Sequence, residues 1–111
     1  MDKEIFEYIK SYTIKILKYV DDDQFDYVDE KTESINKIKN DEYYSGMFVL
    51  NTLHVLSRRH IINKVTPIKV IHYVTENSED LKEHLSKYLD EDLIKSVNRY
   101  KITKQILSKK T

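Results

Sequence analysis

Apolar residues recur along most of this chain at steps of three and four, the period of helices that bury one side. Ile5, Phe6, Ile9, Tyr12, Thr13, Ile16, Leu17 and Val20 fall on such a face, with lysines and glutamates between them, and predict a first helix over about 3–19. Phe25, Val28, Thr32, Ile35 and Ile38 predict a second over about 23–39, with Asp23 as its cap and Asp26 in the reciprocal place of a capping box. A third, about 41–61, is apolar over most of its circumference through Tyr44, Met47, Phe48, Leu50, Leu53, Val55 and Leu56, as a buried central element would be. Thr66 as cap and Pro67 at the first helical position predict a fourth over about 67–75. Ser78 caps a fifth over about 78–89, with Leu81, Leu85, Tyr88 and Leu89 inward. Asp90 or Glu91 opens a sixth over about 91–109, with Leu93, Val97, Tyr100 and Leu107 on one side. The stretch "VIHYV" has the β-branched and aromatic content of a strand, but it has no partner strand, and a lone hairpin is marginal.

The expected fold is all-α: a compact single-domain bundle of five to six helices over residues 1–111, with only the last few residues, "SKKT", frayed. The length supports one modest core and not two. A single glycine, Gly46, and a single proline leave no material for primed hairpin turns or glycine-rich phosphate loops. The absence of cysteine removes disulfides, thiolate zinc sites and cysteine nucleophiles. "MDKEIFEYIK" lacks a hydrophobic signal region, and the longest apolar stretch, "GMFVLNTLHVL", is interrupted by Asn51 and His54 and falls short of the roughly 20 residues that span a bilayer. The expected location is the cytoplasm, or the host cytoplasm for a viral gene. Alanine is absent, lysine far exceeds arginine, and Ile, Asn, Asp and Tyr are abundant, which is the usage of an AT-rich genome such as those of low-GC bacteria, phages and some large viruses.

Charge changes the picture, because 19 basic and 19 acidic residues balance in number but not in place. Acids crowd into "YVDDDQFDYVDE" and the turn after it: Asp21, Asp22, Asp23, Asp26, Asp29, Glu30 and Glu33. Read as a calcium loop, Asp22, Gln24, Asp26 and Glu33 fall on ligand positions, but Tyr27 occupies the place that requires glycine. "DDQFD" matches a magnesium-binding string of isoprenoid synthases, yet the chain has neither the second acidic motif nor room for the large cavity. One or two acids suffice to complement a helix N-terminus, and crowding more of them costs mutual repulsion. The cluster is therefore read as a docking surface of Tyr19, Asp22, Asp23, Asp26, Tyr27, Asp29, Glu30 and Glu33, with Tyr43 and Tyr44 beside it, for a protein with a basic surface.

The opposite pole, Lys95, Arg99, Lys101 and Lys104, carries the alternative of a nucleic-acid-binding regulator. Against it, the segment that would serve as a recognition helix, "SEDLKEHLSKYLDED", is acidic. His54 and His60 stand six apart and are expected to face different ways, while His72 and His84 fall on separate helices, so no pair has metal-ligand spacing. From Arg58 or Arg59 the first histidine after His60 is His72, which breaks the arginine–histidine spacing of helical ribonucleases, and Ser45 has no strand-to-helix elbow. No metal and no cofactor are expected. The expectation is a small non-catalytic protein, an inhibitor, immunity protein or regulator of bacterial, phage or viral origin, not an enzyme, that works by binding another protein. A helical metal-dependent hydrolase using His72, His84, Glu76 or Glu83 stands third, and a homodimer is a further option for so apolar a central helix.

Overall fold

The helical periods resolve into α1 (Asp2–Tyr19), α2 (Glu30–Lys39), α3 (Phe48–Arg58), α4 (Val65–Asn77), α5 (Glu79–Leu85) and α6 (Glu91–Lys109), with one 3₁₀ turn at Asp22–Gln24. The computed structural model describes residues 2–42, 48–87 and 89–109, and no strand occurs among the described residues. "VIHYV" is helical and lies within α4. None of these helices is long and apolar enough to cross a membrane.

All six helices contribute to one hydrophobic core: Phe6, Ile9 and Leu17 from α1, Ile38 from α2, Val49, Leu53 and Leu56 from α3, Ile71 and Val74 from α4, Leu81 and Leu85 from α5, and Val97 from α6. Burying each such side chain contributes about 1.5–3 kcal/mol, so the amphipathic stripes, rather than propensity alone, hold the bundle. A charged group also enters this interior. Lys10 is buried, and its ammonium donates to the carbonyls of Lys39 at 3.1 Å and Asp41 at 2.9 Å. It thereby satisfies the Lys39 carbonyl that the end of α2 leaves open, with the Asp41 carbonyl just beyond it, and places positive charge at the negative end of the helix dipole.

Two local caps match the sequence expectation. The Leu81 N–H donates to Ser78 Oγ at 3.1 Å, and the Leu93 N–H donates to Asp90 Oδ1 at 2.8 Å. Other boundaries differ. α2 begins at Glu30, not near Asp23, and Asp23 and Asp26 cap nothing: residues 25–29 form a bend and turn instead. Phe25 is drawn against the core and Val28, expected to face inward, is 95 % exposed. α3 does not start at Asp41, which is buried and non-helical, with Oδ2 accepting from the Val49 N–H at 3.3 Å. The expected contributions of Tyr43, Tyr44 and Met47 lie outside the described residues.

α3 also ends earlier than its pattern, at Arg58 rather than near residue 61. His60 takes a left-handed conformation with φ of 61°, the Ile61 N–H donates to the Leu56 carbonyl at 2.9 Å, and the His60 N–H to the Ser57 carbonyl at 3.1 Å. These two bonds are the Schellman stop, built here without the usual glycine. In α4, Val65 is the first helical residue and Thr66 does not cap; Asn63 Oδ1 accepts from the Val65 N–H at 2.9 Å instead. Pro67 is thus the third helical residue, where its missing N–H still costs no helical bond.

α5 closes at Leu85, short of Leu89. α6 runs to Lys109, so Ser108 and Lys109 of the tail expected to fray are helical. Its distal half extends past the bundle: Leu107, expected on the inward side, is 59 % exposed, and Ile102 and Ile106 are exposed as well. The radius of gyration of 14.5 Å exceeds the roughly 13 Å expected of a compact chain of this length, consistent with that projection.

Candidate functional site

The acidic segment links α1 to α2, and two cations, Arg59 from beyond α3 and Lys31 from α2 itself, bind part of it. Arg59, just past the end of α3, donates to Glu30 Oε1 at 2.6 Å and pairs with Asp26 Oδ1 at 2.9 Å. Glu30 is largely buried and also accepts from the Asp26 N–H through Oε2 at 2.6 Å, which closes the turn that precedes α2. The Arg59 hydrogen bond holds the Glu30 carboxyl below its ordinary value of 4.5, more than burial raises it. Lys31 donates to the Val20 carbonyl at 2.7 Å and the Lys18 carbonyl at 3.2 Å, tying α2 to the end of α1, and lies 3.4 Å from Asp22 Oδ1. The Tyr27 hydroxyl donates to Glu33 Oε2 at 2.6 Å, and this bond, with the surrounding carboxylates, raises the phenol above 10.0.

The cluster expected to act as one docking surface is therefore divided. Asp22, Asp26, Glu30 and Glu33 have internal partners and shape the loop. Asp21, Asp23 and Asp29 are exposed and make no side-chain ion pair among the described residues. Tyr19 and Tyr27 are exposed, Tyr19 at 80 %. Tyr43 and Tyr44 lie outside the described residues.

α1 carries a feature that the sequence reading missed. Tyr8, Tyr12, Lys15 and Tyr19, at spacings of four, three and four, form one exposed line that runs roughly 16 Å to the acidic loop. Tyr12, expected inward, is instead partly exposed; its ring stacks on Tyr8 with centroids 6.5 Å apart and planes 11° apart. Tyr73 of α4 adds a third ring, 6.0 Å from Tyr8. The spacing of Tyr8, Tyr12 and Tyr19 was the available signal: all three lie on one side of a helix whose buried face is already filled by Phe6, Ile9, Thr13 and Leu17. Beside Tyr19 an open hollow of about 420 Å³ is floored by Ile16, Ile61 and Ile62, with Asp21 and Gln24 at its edge.

The basic residues of α6 do not form one row. Lys95 and Arg99 share a side with Ile102 and Ile106, whereas Lys104 lies about 140° round the helix from Arg99. Lys101 is bound to Glu76 at 3.1 Å, which holds the Glu76 carboxyl below its ordinary 4.5.

The histidines also depart from expectation in one respect. The turn at His60 brings His54 and His60 to the edge of the same open hollow, together with Asp90 and Asp92. Even so, no group of three His, Asp or Glu side chains among the described residues is arranged to hold a metal ion. His72 lies 3.8 Å from Glu76 and edge-on to Tyr100, while Glu83 borders a separate hollow on α5. Comparison with protein-family models, with curated proteins and with solved structures finds no match to this chain.

Proposed function

We propose that this protein acts by binding another protein, a basic one, through the tyrosine line of α1 and the acidic loop at its end. The observation that carries this reading is the exposure of Tyr8, Tyr12 and Tyr19 along one side of α1, leading to Asp21, Asp23 and Asp29. Rigid aromatic side chains bury much area for little lost entropy and dominate binding energy, while a local negative field speeds encounter with a positive surface. The internal pairs to Arg59 and Lys31 support the same reading, since they fix the loop before a partner arrives and reduce the ordering cost of association. An inhibitor, immunity or regulatory role fits such a surface.

The test compares proteins retained from source-cell lysate by the immobilised wild type and by two variants made only at exposed positions. Replacing Tyr8, Tyr12 and Tyr19 by Ala should speed dissociation of the retained partner at least about tenfold. Asp21→Lys, Asp23→Lys and Asp29→Lys together should slow association and remove its salt dependence. Retention of the same partner with unchanged rates by both variants refutes the surface.

Two further readings attach to α6. The division of its basic residues between two sides leaves nucleic acid without a continuous row of phosphate contacts. Exposed Ile102, Ile106 and Leu107 are the surface on which a second copy would pair, and sedimentation at two concentrations reads that directly.

A further inference from the structure

α4 packs against both α5 and α6, but among the described residues α5 and α6 make little contact with each other. Two helices seated on a third with little contact between them leave a wedge. The wedge is a recessed cleft of about 200 Å³. Its floor is apolar: Ile71 and Val97 are buried, and Leu89 and Ile94 are half-buried with the rest of their surface bare. Its mouth is polar and its charge is unequal. Lys82 borders it from α5 and Lys101 from α6, against Glu76 of α4, the one carboxylate in its lining; Lys82 also borders the neighbouring hollow lined by Glu79, Asp80 and Glu83. Lys101 is already paired to Glu76 at 3.1 Å. Lys82 makes no ion pair among the described residues, although its charge also helps to hold the Glu76 carboxyl down.

An apolar floor under a mouth whose own lining holds two ammonium groups and one carboxylate favours a ligand with a hydrocarbon body and a single negative head. Pockets that bind small molecules have this composition, mostly apolar with a few converging polar groups. Size narrows the class further, because an apolar cavity of about 150 Å³ holds a benzene ring. A cleft of 200 Å³ thus accepts one aromatic ring or a chain of about six to eight carbons.

We propose that the cleft between α4, α5 and α6 is a binding site for a small amphipathic carboxylate, with Lys82 receiving the carboxylate and Ile71, Leu89, Ile94 and Val97 covering its hydrocarbon part. This site is separate from the tyrosine and acid surface of α1 and does not depend on it. It involves no covalent step.

The test is a two-dimensional amide NMR titration of the full chain with octanoate, with octylamine and octyl glucoside as charge controls. Octanoate should shift the amides of Ile71, His72, Val97 and Lys101 saturably, with a Kd of about 0.1–1 mM for a ligand of ten heavy atoms. Octylamine and octyl glucoside should bind at least about tenfold more weakly. Lys82→Glu, at an exposed position, should weaken octanoate about tenfold, and Asn98→Phe at the exposed edge should block it; circular dichroism confirms that both variants fold. Equal binding of octylamine, shifts centred elsewhere, no saturation by 20-fold above the expected Kd, or an unaltered Lys82→Glu variant overturns the proposal. Phosphatidylglycerol vesicles are the remaining arm: shifts of the cleft amides by vesicles with octanoate silent would assign the site to a lipid surface and overturn it equally.

Discussion

Arg59→Met tests whether a residue distant in sequence sets the shape of the acidic loop. Methionine keeps an apolar stem of similar length and removes the guanidinium, so the loss isolates the polar contacts. The 2.6 Å bond to largely buried Glu30 is a charge-assisted hydrogen bond of about 1.5–3 kcal/mol. The 2.9 Å pair with exposed Asp26 adds only about 0.2–1 kcal/mol, because solvent screens it. The Gln24 carbonyl accepts a long hydrogen bond at 3.4 Å, which adds little. Destabilisation of about 2–4 kcal/mol follows, which for a chain of this length lowers Tm by roughly 8–17 °C. Urea titration at neutral pH should show a lower midpoint with unchanged slope. A double-mutant cycle with Glu30→Gln should return a coupling of at least about 1 kcal/mol. Acid gives an independent check. Arg59 depresses the folded Glu30 value, so the pair contributes in full above the ordinary carboxylate value of 4.5 and loses its contribution as pH falls through the folded value. The gap between wild type and Arg59→Met should therefore narrow as pH drops from about 5 toward about 3. A loss below about 0.5 kcal/mol, zero coupling, or a gap indifferent to acid would refute the assignment.

Further predictions are readable by the same urea titration. His60→Gly should stabilise by about 0.5–1 kcal/mol, because glycine enters the left-handed position without the steric cost a Cβ imposes; destabilisation would mean that His60 makes contacts outweighing that strain. Ser78→Ala should cost about 1–2 kcal/mol, since Ser78 is buried, accepts the Leu81 N–H and donates to Asp2 Oδ1 at 2.6 Å; no change would show that water replaces both bonds. Thr13→Val should stabilise by about 1 kcal/mol, because the fully buried Thr13 hydroxyl has no hydrogen-bond partner among the described residues and valine has nearly the same shape; a loss of stability would point to an unseen partner for that oxygen.

What the sequence determined alone was local. The span of α1, the opening of α5 at Ser78 and that of α6 at Asp90 were legible because a stripe at steps of three and four and a cap three residues upstream are interactions within one or two turns. The crowding of carboxylates was legible too, but its division between structure and surface was not. Arg59 stands 29 positions from Glu30, and only the packing of α3 beside α2 brings it within bonding distance and turns residues 25–29 out of the helix their periodicity implies. The stop at His60 escaped detection for a related reason: a left-handed histidine carries no local mark, and the position is held by the packing of Leu56 and Ile61 into the core. Tertiary structure alone also decided which tyrosines reach solvent and where the cleft opens. Exposure depends on which neighbouring helix covers a face, and a void depends on helices that pack loosely against each other; neither is a property of any single segment of chain.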